Sequence, residues 1–480
     1  MVYGFGTIVP RFLNYGILTF LYTRIFDKAQ YGVVTELYAW MVFLLIILTY
    51  GMETGFFRFS QNKEDYEKVY STAIISLLIS STLFVILVFL FIGPVAAVLK
   101  YSEHHDYIRM FAAIIAIDAF SAIPFAKLRK ENKAFEFSLI KILNVVITII
   151  AVIFLLIIAP DIYKGSNGWF RKVYNPEYGV GYVFLANLIG SSATLLMLMP
   201  SVLRTKLLFC RDIWLRMIYY SFPLMIAGLG GAINEALDKI ILRRMTGEQT
   251  GLELVGEYGA GYKIAVLMSL FIQMFRFAAE PFFFERAKSA GAKETYAFVM
   301  KYFVISMIVI YLVINLYITG LQYIIGESFR TSVIVVPIVS MGYLLYGIYV
   351  NHSIWYKLND LTRYGIYITF TGAVITILVN VIFIPEFGYM ASAWAHIASY
   401  GGMVVLSFIL AAKHYKIEYR MKELIPYFIL SAGIVVFSRL YEYQSLTAEI
   451  IINTVLIGLF IFFAQFRDQI LTVFFRKDRK

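Results

Sequence analysis

The sequence predicts an all-α integral membrane protein with about 14 transmembrane helices. Hydrophobic residues occupy 60% of its 480 positions and charged residues only 15%, whereas a water-soluble domain is typically about one-quarter charged. Apolar segments long enough to cross a bilayer follow one another from end to end. These segments must be helices, because within lipid only a helix of this kind satisfies its own backbone hydrogen bonds.

Short turns separate the predicted spans. Pro, Gly, Asn and charged residues mark the ends of the segments, which we place at roughly 3–25, 32–57, 69–99, 107–127, 135–159, 179–203, 217–242, 257–284, 295–319, 332–356, 364–385, 388–412, 424–441 and 446–466. The longest extracytoplasmic loop has about twenty residues, which leaves no room for a soluble catalytic domain. The first residues lack the charged region and cleavage site of a signal peptide, so we interpret them as the edge of span 1.

The basic residues are distributed asymmetrically, and this asymmetry predicts an orientation. Loops after even-numbered spans, together with the C-terminal tail, carry about 26 Lys and Arg residues, whereas loops after odd-numbered spans carry about 11. The positive-inside rule then places both termini in the cytoplasm. We therefore attribute the net charge of +11 to membrane topology and expect no nucleic-acid partner.

A weak internal repeat divides most of the chain into two halves. At a constant offset, the matching positions are Tyr31–Gly32 with Tyr258–Gly259, Glu53 with Glu280, and Phe56–Phe57 with Phe283–Phe284. Both segments are second spans of a six-span half, so the two halves share one orientation. We predict an N-terminal lobe at 1–204, a C-terminal lobe at 205–413, and two further helices with a basic tail at 414–480. Two such lobes leave a cleft, which is where an alternating-access transporter holds its cargo.

Charges inside the spans are the first candidates for function, because a charge at mid-bilayer costs at least about 2.5–3.5 kcal/mol. Four cations are predicted to line a cavity that binds an anionic cargo: Arg11, Lys239, Lys263 and Arg276. Arg11 directly follows Pro10 in span 1. The alternative for Arg11 is a structural salt bridge to Glu53 or Glu36 of span 2, or a side chain that reaches back to the membrane surface.

The two cations of span 8 have alternatives as well. Lys263 and Arg276 lie within about 60° of each other around a straight helix, which would place them on one wall of a cavity. Alternatively, Lys263 extends to the interface and Arg276 pairs with Glu280 one turn away. Glu280 and its repeat counterpart Glu53 are therefore candidates for structural pairing.

Three acids are candidates for coupling transport to an ion: Asp118, Glu235 and Asp238. An ionisable group inside the membrane is a functional candidate because its burial is costly. For Glu235 the simpler account is a pair with Lys239, four residues further along the helix. Asp118 is equally compatible with a structural role near Pro124, with Lys141 of span 5 as a partner.

The sequence contains no pattern typical of a metal site or a catalytic centre. Cys210 is the only cysteine, which excludes an intrachain disulfide and a thiolate cluster. The run EHHD at 103–106 lies in a short loop, and successive residues cannot all face one metal. We therefore expect no cofactor, no bound metal and no enzymatic activity.

Several segments together resemble the bacterial polysaccharide flippases. They are Tyr31–Gly32 with the glycine-containing end of span 2, the Ile123–Pro124 junction with the basic loop that follows, Asn234 with Asp238 in span 7, Tyr262–Lys263 with Glu280–Pro281–Phe282 in span 8, and IPEFGY at the turn between spans 11 and 12. Each match is loose, but their order and spacing cover both halves. One departure is that span 1 begins almost at Met1, whereas the family usually carries a longer lead.

The resemblance implies a specific fold and cargo. This branch of the multidrug/oligosaccharidyl-lipid/polysaccharide exporter superfamily has two six-helix lobes in a V around a cationic central cavity, often with two extra C-terminal helices. The implied cargo is an undecaprenyl-diphosphate-linked oligosaccharide, flipped across the bacterial inner membrane for O-antigen, capsule or exopolysaccharide synthesis. Membrane lipids, a polysaccharide polymerase and glycosyltransferases are the implied partners.

Two other functions are compatible with a polytopic membrane protein. A cation-coupled multidrug antiporter of the same superfamily would need an acidic, aromatic cavity, because its cargo is cationic. A membrane glycosyltransferase or polymerase would need a catalytic constellation, usually on a large external loop. The intramembrane cations and the short loops favour the flippase over both.

Overall fold

The described part of the chain is helical throughout. The computed structural model describes residues 2–61, 64–165, 168–287, 289, 291–359 and 361–469, and within these ranges there is no β-strand. Twelve helical segments in these ranges are long and apolar enough to cross a membrane. The predicted all-α membrane class is therefore confirmed.

Packing divides the chain into two compact units, Met1–Gly259 and Ala260–Lys480. The lobe boundaries predicted from the repeat remain a prediction. The first unit contains α1 Val2–Leu13, α2 Thr19–Ile25, α3 Lys28–Thr49, α4 Met52–Phe59, α5 Tyr66–Leu90, α6 Ile92–Leu99, α7 His105–Lys130, α8 Ala134–Ile153, α9 Ala159–Gly165, α10 Phe170–Val173, α11 Gly181–Leu203, α12 Arg211–Thr246 and most of α13 Glu248–Ala265. Two π-helical segments, Asn14–Leu18 and Phe154–Ile158, interrupt its long helices.

The second unit is built in the same way. It contains the end of α13, α14 Leu267–Arg286, α15 Ala292–Leu316, α16 Ile318–Leu321, α17 Val336–His352, α18 Ile354–Leu358, α19 Arg363–Phe387, α20 Tyr389–His414, α21 Ile425–Leu440 and α22 Leu446–Asp468. A long 3₁₀ segment, Glu327–Val335, leads into α17.

Each predicted span has a helical counterpart, but two counterparts lie outside the twelve. Span 1 corresponds to α1, the first π-helical segment and α2 in succession. Span 13 corresponds to α21, which has only 16 residues. The total of 14 membrane crossings therefore stays a prediction.

Span 2 consists of two helices and not one. An aspartate capping box starts α3, because the Asp27 carboxylate accepts a hydrogen bond from the Gln30 amide at 2.8 Å and the Gln30 side chain accepts one from the Asp27 amide. The helix ends where Tyr50 and Gly51 both adopt positive φ, at 35° and 70°. A Cβ at Gly51 would lie 2.8 Å from the Ser221 carbonyl oxygen of α12. Position 51 therefore favours glycine for two reasons: its φ is positive, and a Cβ atom there would come too close to α12.

The last helix is attached to the second unit at both ends. Near its start, the Asn453 amide donates to the Leu316 carbonyl at 2.7 Å, and Thr319 donates to Glu449. At its end, Lys301 forms an ion pair with Asp468. Because these bonds anchor α22 to α15 and α16, the C-terminal helices belong to the packing of this unit.

Candidate functional site

The first unit holds Arg11 beside a π-helical segment. Arg11 has an exposed side chain one residue after Pro10, and the π segment begins at Asn14. Tyr15 within that segment lies in electrostatic range of both Arg11 and Glu235. Insertions of this kind into a helix are frequent at functional sites because they redirect side chains. Arg11 on α1 and Glu235 on α12 thus both act on Tyr15 of the π segment through their charges.

Asp118 is held by a hydroxyl group inside the first unit. The Ser191 hydroxyl of α11 donates to the Asp118 carboxylate of α7 at 2.8 Å. The Lys141 ammonium of α8 lies over the Phe125 ring, 4.0 Å from its centroid, and acts on Asp118 through its charge. Arg11 lies within electrostatic range of the same lysine. This carboxylate is therefore placed among three membrane helices with cations nearby.

Asp238 and Lys239 form a buried pair. The Lys239 ammonium donates to the Asp238 carboxylate at 2.9 Å and to the Glu235 carbonyl oxygen at 3.1 Å. The Tyr258 hydroxyl of α13 donates to the second carboxylate oxygen at 2.8 Å. Asp238 is 1% exposed and Lys239 7%. Lys239 therefore forms its ion pair with the adjacent Asp238. Its contact with Glu235 is to that residue's backbone carbonyl oxygen.

The two carboxylates suggested for structural pairing both have cationic partners. Glu53 at the end of span 2 forms an ion pair with Arg129, at the end of α7, and not with Arg11. Glu280 in the second unit forms an ion pair with Lys357 at 2.6 Å, from α18, and not with Arg276. In both cases the partner lies on another helix and is not the cation that the sequence analysis gave as an alternative.

Lys263 and Arg276 lie on separate helices of the second unit. Lys263 is half-buried near the end of α13, and Arg276 is exposed in α14 with its guanidinium 5.9 Å from the Phe277 ring centroid. A turn at Val266 interrupts span 8 between them. Their angular relation on a straight helix therefore does not apply, and their roles as cavity cations stay predictions.

A buried ion pair absent from the sequence predictions links two helices of the first unit. Arg243 of α12 pairs with Glu36 of α3, and their side chains are 3% and 0% exposed. The Tyr101 hydroxyl donates to the same carboxylate at 2.6 Å, and Arg243 also donates to the Leu99 and Lys100 carbonyl oxygens. The predicted span 7 ends at residue 242, which places Arg243 in the loop that follows. The signal that could have identified it is the acid at Glu36, which needs a partner in an apolar helix.

Two glycines allow α3 and α13 to approach closely in the first unit. A Cβ at Gly32 would lie 2.0 Å from the Leu252 carbonyl oxygen, and one at Gly256 would lie 1.9 Å from the Lys28 carbonyl oxygen. A Lys28–Glu257 ion pair at 2.7 Å closes the same contact. The Tyr–Gly repeat signature of span 2 therefore lies where two membrane helices touch along their backbones.

Nothing in the described ranges forms a metal centre. No group of three or more His, Cys, Asp or Glu residues there could hold a metal ion. The first unit has cations and carboxylates on α1, α7, α8 and α12.

Comparison with known proteins identifies a family. The family model described as "Polysaccharide biosynthesis protein" matches residues 1–286. This range contains the whole first unit and α14. No curated protein sequence matches the chain.

Solved structures share the fold over nearly the whole chain. Lipid II flippase MurJ in an inward closed conformation has a TM-score of 0.72 at 15% identity, covering 96% of this chain and 98% of its own. An inward-facing multidrug resistance MATE family transporter of the MOP superfamily has a TM-score of 0.66 at 14% identity, covering 86% and 94%. An outward-facing transporter of that family has a TM-score of 0.59 at 16% identity, covering 91% and 93%. At these identities the similarity establishes the fold.

Proposed function

Because the chain belongs to the polysaccharide biosynthesis protein family, we propose that it flips an undecaprenyl-diphosphate-linked oligosaccharide from the cytoplasmic to the outer leaflet of the bacterial inner membrane by alternating access. The product would be O-antigen, capsule or exopolysaccharide. The observation that carries the proposal is Arg11, an exposed guanidinium in an apolar helix beside a π-helical segment. The fold shared with a protein named as a lipid II flippase supports it.

The charges in the first unit suit a phosphate-bearing cargo. A diphosphate–sugar headgroup cannot cross hydrocarbon unaided, because its charges lose their hydration. Arg11 and Lys141 lie close enough to interact electrostatically, and together they would replace part of that hydration. An arginine also matches the geometry of phosphate oxygens with two parallel N–H donors.

Proton or sodium counterflow is the proposed driving force. Asp118 is held by Ser191 near Lys141, and Asp238 is held by Lys239 and Tyr258. A carboxylate poised between a cation and hydroxyl groups changes its interactions when it binds a proton or a metal cation. Export that continues unchanged after the ion gradients are collapsed would contradict this part of the proposal.

The MATE-like fold by itself suits a multidrug antiporter equally well, so the charge of the cargo must decide. A cationic drug would be repelled by Arg11 and Lys141, whereas an anionic lipid headgroup would be attracted. A glycosyltransferase or polymerase would leave these intramembrane cations without a role. We therefore keep the lipid-linked sugar as the cargo and transport as the activity.

Replacing Arg11 tests the proposal. We expect Arg11→Gln to reduce surface polysaccharide about tenfold and to raise the lipid-linked intermediate on the cytoplasmic leaflet, because a charge-assisted contact with phosphate is lost. Arg24→Gln is the matched control, since Arg24 is also an exposed arginine of span 1 but contacts the Phe20 ring and carbonyl oxygen at the end of α2. Equal export by both variants, with the proteins present and folded in the membrane, would contradict the assignment.

A further inference from the structure

The predicted outer loop between α9 and α11 folds back against the end of span 5. The Tyr174 hydroxyl, directly after α10, donates at 2.8 Å to the Leu155 carbonyl oxygen within the second π-helical segment. The Arg171 guanidinium of α10 donates to two carbonyl oxygens of α9, those of Tyr163 at 3.1 Å and Lys164 at 3.4 Å. These bonds place α10 alongside the last part of span 5.

The attachment to Leu155 sets the depth of this loop relative to the membrane. Leu155 lies six residues before Asp161, the first charged residue after Lys141 in span 5. Six residues of helix rise about 9 Å, and the interfacial layer on each side of the hydrocarbon core is about 5–8 Å thick. The Tyr174 hydroxyl therefore lies at the boundary between headgroups and hydrocarbon. Since α10 is attached at this depth, it lies at the membrane surface and does not project into bulk water.

A column of stacked rings holds α10 in this position. Phe170 stacks on Tyr174 with ring centroids 5.6 Å apart, and Tyr174 stacks on Tyr182 of α11 at 4.9 Å. The Tyr178 ring packs edge-on against Tyr182 at 5.0 Å. Phe170 and Tyr174, which lie four residues apart, thus form the inner face of α10 and pack within the aromatic cluster of the loop itself.

A second face of α10 is apolar and exposed. Trp169, whose backbone is helical, and Val173 also lie four residues apart and therefore share one face. Both side chains are 72% exposed. Lys172, three residues after Trp169, is exposed as well. Tryptophan and lysine are typical anchors of membrane interfaces, because the indole ring favours headgroup level and the lysine stem extends toward water.

We propose that Trp169 and Val173 anchor this loop in the interfacial layer of the bilayer at the predicted outer end of span 5. The partner is the lipid surface: the two apolar side chains contact the upper acyl chains, and Lys172 adds a cation at headgroup level. This contact removes from water an apolar surface that the protein itself leaves uncovered. The inference goes beyond the proposed function, because an interfacial anchor does not depend on the cargo.

Fluorescence quenching of the full-length protein in liposomes tests the anchor. The liposomes would contain phosphatidylcholine brominated either near the headgroup or near the ends of the acyl chains. The chain has five tryptophans, so the contribution of Trp169 is the difference in emission between the wild type and Trp169→Phe. We expect bromine near the headgroup to quench this contribution about twofold more than bromine near the chain ends, because the ring lies at the interface.

Two other tryptophans supply matched controls. Trp394 is 53% exposed in α20, about 9 Å from the start of its predicted span. The contribution removed by Trp394→Phe should therefore be quenched more by bromine near the chain ends. Trp355 is 0% exposed, and the contribution removed by Trp355→Phe should be the least sensitive to either lipid.

A nitroxide at position 173 gives a second measurement that does not use fluorescence. In a Cys210→Ser background, Val173→Cys would be spin-labelled, and its collisions with oxygen and with a water-soluble nickel complex would be compared. Lys164→Cys is the water reference, since the Lys164 side chain is 77% accessible in α9. Ile429→Cys, at a position 67% exposed in α21, is the hydrocarbon reference. The label at 173 should give a ratio of the two collision rates between those of the references.

Three outcomes would overturn the anchor. The first is a Trp169 contribution that neither brominated lipid changes but that iodide in the water quenches. The second is stronger quenching by bromine near the chain ends, which would place the loop within the hydrocarbon. The third is a label at 173 that is as accessible to the nickel complex as the label at 164.

Discussion

Glu36 and Arg243 form an ion pair in the interior of the first unit. Both side chains are almost completely buried, and Tyr101 and two backbone carbonyl oxygens share in the cluster. An ion pair so deeply buried contributes little net stability in itself, because desolvation offsets attraction. Its disruption is costly, since one charge then stays buried without compensation.

We therefore predict that Arg243→Met destabilises the protein by about 3–5 kcal/mol. The double variant Glu36→Gln/Arg243→Met should recover part of that loss, because no isolated charge remains. Unfolding of the detergent-solubilised protein, followed by circular dichroism, measures both. Lys164→Met breaks the exposed pair with Asp161, whose side chains are 77% and 78% accessible, and should change stability by no more than about 1 kcal/mol. A similar effect of both substitutions would contradict the predicted difference.

At the scale of elements, the backbones of α3 and α13 come into close contact. Gly32 and Gly256 each lie so close to a carbonyl oxygen of the other helix that an added Cβ atom would overlap with it. Small residues permit such approach in membranes, where van der Waals contact drives helix association. The Lys28–Glu257 pair then adds a polar contact at the predicted outer end.

Gly256→Ala is expected to separate the two helices and to cost about 1–3 kcal/mol through overpacking. The control is Gly433→Ala in α21, where an added Cβ meets nothing within 4 Å. That substitution should be neutral or stabilising by up to about 1 kcal/mol, because alanine favours a helix over glycine. Thermal unfolding of the two variants measures the predicted difference in stability. Equal destabilisation would show that the contact between α3 and α13 is not the cause of the effect at Gly256.

For the whole molecule, orientation is the property that all the functional proposals share. The basic residues of the even-numbered loops predict cytoplasmic termini, and the direction of the proposed transport depends on that assignment. The predicted outer loop between α9 and α11 contains two basic residues, Arg171 and Lys172. Under the positive-inside rule they argue only weakly against placing this loop outside the cytoplasm.

We predict that a reporter active only outside the cytoplasm is active when fused within 168–178 and inactive when fused after Leu203. A reporter active only in the cytoplasm should give the opposite result at both positions. The paired fusions control for expression, because each position is scored by two reporters. A cytoplasmic signal at 168–178 would reverse the predicted orientation.

The fold class and the family were within reach of the sequence, and both are confirmed. Hydropathy located the helices because each must be apolar along its whole length, whatever its neighbours. The breaks were not predictable in this way: Tyr50–Gly51 lies inside a continuous apolar run, and its positive φ values occur where Ser221 of α12 comes close. Average hydropathy contains no information about that contact.

The sequence by itself determined that the chain is a helical membrane protein of polysaccharide biosynthesis and which charges lie within its spans. Only the tertiary structure decided the partners of those charges: Glu36 with Arg243, Glu53 with Arg129, Glu280 with Lys357, and Asp238 with Lys239. The physical reason is that hydrophobic length is a property of each segment alone. A buried charge instead selects the best-placed counterion among all the helices that pack around it.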